Sequence, residues 1–253
     1  MLEDLRDAVV LITGASTGIG AATAVRFAGA GARVGINYRQ SEREATDVLS
    51  AVEAAGSEGV LLRADVAQRT QVLAMVDRLA ARFGRLDRLV NNAGTPVARS
   101  TLADLPEAIW DEALAVNLKG AFLCSQAAIP HLRRAGGGRI VNVSSLVART
   151  GESSAHYAVA KAGVNALTRA LARELAPDGI AVNAVAPGLI DTPVHGKFSA
   201  DPQAIFARVV PRIPLGRAGT ADEVARWIVF LASADAGYAT GQVIEVNGGQ
   251  LMA

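Results

Sequence analysis

Short apolar runs alternate with longer amphipathic stretches from one end of this chain to the other. The runs occupy residues 8–12, 33–37, 59–63, 88–91, 139–143, 180–186 and 242–246. Most are apolar at nearly every position rather than at every second one, the mark of strands buried on both faces of a parallel sheet. Between them, Ala45, Val48, Leu49 and Val52 recur at helical spacing, as do Val72, Met75, Val76, Leu79 and Phe83, and then Val164, Leu167, Leu171 and Leu175. Ser41 with Glu44, and Thr220 with Glu223, have the spacing of capping boxes. Further helices are expected over 21–30 and 110–126. A strand–helix–strand order requires crossover connections, so the expected fold is α/β: a doubly wound, mostly seven-stranded parallel sheet with helices on both faces.

No Pro/Ser-rich linker or charge run divides the chain, so one domain over 1–253 is expected. The stretch 187–219 holds Pro187, Gly188, Pro193, Gly196, Pro202, Pro211, Pro214 and Gly216 and no strand pattern. A segment of this kind in a compact domain is expected to be a binding loop or lid. A hydrophobic fraction of 51% supplies a sizeable core, and the net charge of +1 without any block of like charges argues against nucleic-acid or membrane partners. Cys124 is the sole cysteine, which fits a reducing compartment. The polar, acidic start lacks the pattern of a secretory signal, and a cytoplasmic protein is expected. His131, His156 and His195 are too isolated to form a metal site.

The first strand runs into Thr13-Gly14-Ala15-Ser16-Thr17-Gly18-Ile19-Gly20 and then a helix. Glycines there permit a tight turn and let backbone N–H groups approach a pyrophosphate at the positive end of the helix. A P-loop is excluded, because no Gly-Lys-Ser/Thr follows. Further on, Tyr157 and Lys161 lie four residues apart on a helix, so their side chains share one face. An ammonium beside a phenol stabilises the phenolate, and the pair is expected to bring the tyrosine down from its free value near 10.

The ordered set Thr13-Gly14-x-x-x-Gly18-Ile19-Gly20, Asp65-Val66, Asn91-Asn92-Ala93-Gly94, Asn117, Ser144, Tyr157-x-x-x-Lys161 and Pro187-Gly188 resembles the short-chain dehydrogenases/reductases over essentially the whole chain. The resemblance implies a Rossmann-type sheet, a nicotinamide cofactor and a homotetramer or homodimer. It implies Tyr157 as general acid, Lys161 as its partner, Ser144 rather than the adjacent Ser145 as donor to the substrate oxygen, and Asn117 as holder of a proton-relay water. It places the cofactor on Gly14, Ser16, Thr17, Gly18, Ile19, Gly20, Asp65, Val66, Asn91, Ala93, Gly94, Tyr157, Lys161, Pro187, Gly188, Ile190 and Thr192. Asp65 would accept from the adenine amino group, Asn91 would lie near the adenosine ribose and help tie the central sheet, and Gly94 would let the cofactor lie close. In NAD-preferring relatives an aspartate ends the second strand. Here the stretch reads Asn37-Tyr38-Arg39, so NADP(H) is expected over NAD(H), with Arg39 on the 2′-phosphate. Thr17 departs from this, standing where many NADP-preferring relatives carry a second basic residue.

The expected substrate is a small carbonyl compound or alcohol. The 3-oxoacyl-carrier-protein reductase branch is the nearest likeness, sharing Asn37-Tyr38-Arg39 and Val246-Asn247-Gly248-Gly249. Sugar and polyol dehydrogenases of the glucose 1-dehydrogenase type are the alternative, and a non-catalytic cofactor-binding protein would be expected to lack Tyr157 or Lys161. If an acyl carrier protein is the partner, Arg133, Arg134, Arg139, Arg169 and Arg173 are the expected docking residues.

Overall fold

The computed structural model describes residues 2–197 and 201–252. In chain order it contains β1 (Val9–Ile12), α1 (Gly18–Gly29), β2 (Arg33–Tyr38), α2 (Glu42–Ala54), β3 (Gly59–Arg63), α3 (Arg69–Phe83) and β4 (Arg88–Asn91). Then come α4 (Glu107–Leu114), a π-helical turn (Ala115–Lys119), α5 (Gly120–Arg134), β5 (Gly138–Val143), α6 (Val147–Thr150) and α7 (Ala155–Leu175). The chain closes with β6 (Ile180–Pro187), β7 (Ile190–Asp191), α8 (Pro202–Val209), β8 (Gly219–Thr220), α9 (Ala221–Ala232) and β9 (Val243–Val246). Seven strands form one sheet in the order β3-β2-β1-β4-β5-β6-β9, and every pairing is parallel.

The apolar runs follow from this arrangement. Val10 and Ile12 pack with Phe27 of α1, Val48 of α2 and Ile228 of α9 on one face. Val9 and Leu11 pack with Leu79 of α3, Leu123 of α5 and Leu175 of α7 on the other. Successive residues of a strand point to opposite faces, so a strand covered on both sides has no position free for water.

The order reverses between β1 and β4, and in such sheets the crevice beyond the strands' carboxyl ends at this point receives ligands. The stretch 187–219 is less bare than its sequence suggests: it contains β7 and α8, and its ends are tied by the short β7–β8 pair, Ile190 opposite Gly219. Thr220 and Glu223 form their capping box. Ser41 does not cap α2; its side chain makes no cap bond. The helix expected over 110–126 is instead α4 and α5 with the π turn between them. Among the described residues, no helix is long and apolar enough to cross a membrane, and no cluster of metal-ligand side chains occurs. The side chain of His195 lies outside the description.

Candidate active site

The glycine-rich turn is laced to three strands. Thr13 N–H donates to Val90 O at 3.0 Å and Ala15 N–H to Asn37 O at 2.8 Å. Gly14 N–H donates to Asn37 Oδ1, whose amide nitrogen in turn donates to Leu62 O and Ala64 O. Asn92 Nδ2 donates to the carbonyls of Thr13 and Gly14, both at 2.9 Å. Gly14 has φ +61, and a Cβ there would stand 2.8 Å from Ala93 Cα, so only glycine fits. The turn delivers the chain into α1, whose N-cap Thr17 makes no side-chain bond. The first N–H groups of α1 therefore have no side-chain cap, and they sit at the positive end of the helix dipole.

These residues form one wall of a cleft of about 1090 Å³. Of the expected site residues, Gly14, Ser16, Thr17, Gly18, Ile19, Arg39, Asp65, Val66, Ala93 and Gly94 line it, and so do Ser144, Tyr157, Lys161, Pro187, Gly188, Ile190 and Thr192. Gly20, Asn91 and Asn117 do not. Asn91 is buried within the sheet, its Nδ2 donating to Ser125 Oγ and Asn142 Oδ1, so its amide ties β4 to β5 and α5, the tie expected of it. At the far end of the cleft Arg39 lies 3.7 Å from Asp65, both partly exposed. Arg39 also borders a smaller recess of about 340 Å³ with Arg63, a cation the sequence reading passed over.

Tyr157 is half-buried near the start of α7, and Lys161 one turn on is 3% exposed. Lys161 Nζ donates to Val143 O at 2.8 Å and lies 5.7 Å from the centre of the Tyr157 ring. Burial governs both groups: it pushes the phenol up to about 12, against a smaller lowering by the Ser145 hydroxyl, and pushes the lysine down to about 8. The expected downward pull of the ammonium on the tyrosine is thus not what dominates in this geometry.

The serine beside Tyr157 is Ser145, not Ser144. Ser144 N–H still donates to Val185 O at 2.7 Å, so the β5 ladder extends through it. Alternation then sets Ser144 on the same side as Ile140 and Asn142, under α7. There its hydroxyl, 3% exposed, donates to Lys161 O at 3.2 Å. Alternation turns Ser145 to the other side, where it lines the cleft and draws the Tyr157 phenol down.

Asn117 stands in the π turn, and its side-chain Nδ2 donates to Ala113 O at 2.9 Å. The same side chain clamps Thr95, accepting from its N–H at 3.0 Å and donating to its carbonyl at 2.7 Å. Its side-chain bonds thus hold backbone. Gly94 completes this corner: a Cβ there would lie 2.7 Å from Asn117 Oδ1 and 3.1 Å from Lys161 Nζ. One residue on from Thr95, Pro96 O accepts a bond from buried His156 Nε2 at 2.9 Å. Sequence reading gave no role to Asn37, Asn92, Arg63 or His156, and set Ser145 aside in favour of Ser144. For Asn92 and His156 the adjacent motif residues were the available signal.

The five arginines considered for docking sit at the wrong end of the sheet. Arg139 is the second residue of β5, about 17 Å from Ser144 at 3.3 Å per residue. Arg169 and Arg173 lie about 18 and 24 Å down α7 from Tyr157 at 1.5 Å per residue. Arg133 pairs with Asp178, beyond the C-terminal end of α7, and Arg134 is beside His131.

Residues 14–250 match the family model described as Enoyl-(Acyl carrier protein) reductase. The chain is 42% identical to a 3-oxoacyl-[acyl-carrier-protein] reductase of Staphylococcus aureus, over 96% of this chain and 97% of that one. It is 43% identical to the cis-4-hydroxycyclohexanecarboxylate dehydrogenase of Sinomonas cyclohexanicum, over 98% of each. A crystal structure of a short-chain type dehydrogenase/reductase from Mycobacterium marinum superposes with a TM-score of 0.92 at 36% identity, covering 100% of this chain and 98% of that one.

Proposed function

This chain belongs to the short-chain dehydrogenase/reductase family, and on that premise we propose that it interconverts a ketone and a secondary alcohol with NADP(H), Tyr157 holding the transferred proton. Oxidoreductase chemistry on CH–OH and C=O groups comes with the family. The observation that carries the rest is that Ser145, Tyr157 and buried Lys161 line one cleft at the carboxyl end of the central strands, with Lys161 Nζ 5.7 Å from the Tyr157 ring.

In the direction of reduction, Tyr157 gives its proton to the carbonyl oxygen, and the Ser145 hydroxyl donates to the same oxygen as negative charge develops there. The Lys161 ammonium favours the phenolate left behind. Ser144 positions Lys161 through its backbone carbonyl, and Asn117 positions Thr95 and so the Gly94 backbone beside that ammonium. The chemistry the nicotinamide supplies when bound is hydride transfer to or from the carbonyl carbon, and its positive oxidised ring offsets the burial that raises the tyrosine.

The residues present fit such a cofactor. The uncapped N-terminus of α1 would hold the pyrophosphate. Arg39, Arg63 and the free hydroxyl of Ser41 surround the place where a 2′-phosphate would lie, and the exposed Arg39–Asp65 pair is weak enough to yield Arg39 to it. Asn37 is occupied by the glycine turn and presents no acid to repel a phosphate.

The cleft wall beyond Tyr157 is made by Val97, Ile109, Val116, Leu146, Val194 and Ile205. An acyl or cyclic ketone fits this apolar part of the lining, whereas a polyol would find partners only on its polar part, which includes Thr95, Ser153, Ser154 and Gln250. The Staphylococcus aureus relative's substrate makes a carrier-bound 3-oxoacyl group one form to assay. A carrier would have to dock at the cleft mouth rather than on Arg133, Arg134, Arg139, Arg169 or Arg173. The reading includes a cytoplasmic location and self-association, with Trp227 and Phe230 edge to face on α9, both exposed, as a surface available to a second copy.

The test is a panel of ketones, acyl thioesters and sugars followed by nicotinamide absorbance. NADPH is expected to outperform NADH by about tenfold or more, ~1.4 kcal/mol, with Arg39→Ala erasing the margin. Equal use of both, or an unchanged margin in Arg39→Ala, refutes the cofactor choice. Tyr157→Phe is expected to lose ~10²–10⁴-fold in rate with cofactor affinity retained, and keeping more than about a tenth would refute its role.

A further inference from the structure

The helix over the cleft carries charge where an apolar lid would suffice. Ile205, Arg208 and Val209 stand at i, i+3 and i+4 on α8, and all three line the cleft, as does Arg212 in the turn that follows. Arg212 is spent on an ion pair with Glu152, which reaches across from the segment before α7. Arg208 is not: it lines the cleft with no ion pair or hydrogen bond among the described residues. The same holds for Arg99, which lines the cleft from a separate segment, between β4 and α4. The carboxylates lining this half of the cleft are Glu152, matched by Arg212, and Glu112 of α4. Two unmatched guanidinium groups therefore stand against one unmatched carboxylate, in a cleft that also carries the apolar side chains of Val97, Ile109, Val116, Leu146, Val194 and Ile205.

From this arrangement we infer that the substrate is an oxo- or hydroxy-acid: an apolar body bearing the reacting carbon, and a free carboxylate received by Arg208 and Arg99 at the cleft mouth. The inference rests on the redox reading above and names the substrate class of the same site. An arginine fork matches a carboxylate in shape as well as charge, and a carboxylate gripped from α8 and from the segment between β4 and α4 would hold the body against the apolar lining, its carbonyl toward Tyr157 and Ser145. A neutral ketone of the same shape fills the wall and leaves both cations to solvent.

The experiment compares oxo-acids of increasing length, 4-oxopentanoate to 7-oxooctanoate, with the corresponding amides. At the best length kcat/KM for the acid is expected to exceed that for the amide by about 10- to 100-fold, the range for hydrogen bonds to charged groups. Arg208→Gln and Arg99→Gln should each bring the acid-to-amide ratio toward one, and added salt should lower it in the wild type. A ratio near one in the wild type, or one untouched by either substitution in protein of normal melting temperature, overturns the inference and leaves the redox reading intact. Acetoacetyl-pantetheine with and without its 4′-phosphate is the second arm: a phosphate effect without a carboxylate effect overturns the assignment to an acid. Should no ketone turn over with either nicotinamide, the redox reading fails, and calorimetric titration decides the anion seat separately. Acid bound more tightly than amide, with the difference lost in Arg208→Gln, supports it; equal binding overturns it.

Discussion

Replacing each of two adjacent serines by alanine separates a structural hydroxyl from a reacting one. Ser144 Oγ is buried and donates to Lys161 O, a carbonyl that already lies inside α7, so its removal leaves no buried acceptor orphaned. The expected cost of Ser144→Ala is one neutral hydrogen bond, ~1 kcal/mol. For a chain of this size that lowers the melting temperature by about 2–4 °C. Turnover should stay within about fivefold of wild type, because the hydroxyl acts on Lys161 only through backbone, whereas a donor aimed at developing charge is worth far more. Ser145→Ala should do the reverse: its hydroxyl reaches the Tyr157 hydroxyl and the cleft. Losing such a donor should lower kcat by ~10²–10³-fold, or ~3–4 kcal/mol, with little change in melting. Steady-state nicotinamide absorbance and thermal melts by circular dichroism on both variants are sufficient. A loss beyond about a hundredfold in Ser144→Ala at unchanged melting, with Ser145→Ala near wild type, would refute the assignment drawn from strand alternation.

Two further outcomes follow from the buried lysine and the glycine beside it. Lys161 is held near 8 in the folded protein against 10.5 when exposed, so between those values the unfolded chain binds more protons and stability rises with pH. Below pH 8 the penalty is up to ~3 kcal/mol, set against the buried bond to Val143 O that Lys161→Met loses, so the melting temperature of the variant relative to wild type should be highest below pH 8. That relative value should fall from about pH 8 to 10.5, and a pH-independent difference in melting would contradict this origin. Gly94→Ala places a methyl 2.7 Å from Asn117 Oδ1 and 3.1 Å from Lys161 Nζ, so it should cost ~1–3 kcal/mol and depress kcat with it. A variant of wild-type stability and rate would show that this corner yields freely.

The amino-acid sequence by itself determined the sheet, most of the helices and the catalytic helix face. A run such as Val9-Val10-Leu11-Ile12 is apolar at every position only because both faces of its strand are covered. Tyr157 and Lys161 share a face because helical spacing puts them there, and Thr220 with Glu223 caps α9 by contacts three residues apart. These are local relations, and local periodicity records them. The tertiary structure decided what depends on partners far along the chain. Ser41 has the sequence of a cap and makes none. Asn37 and Asn92 fasten the glycine turn from 23 and 78 residues away. Arg139 and Arg173 share a sign and a neighbourhood in sequence with the catalytic segment, yet strand direction and helix rise carry them to the opposite end of the sheet. Ser144 and Ser145 are chemically identical neighbours. Which of them meets Tyr157 depends on the register in which β5 pairs with β6, a register carried through Ser144 by a hydrogen bond to Val185, 41 residues on.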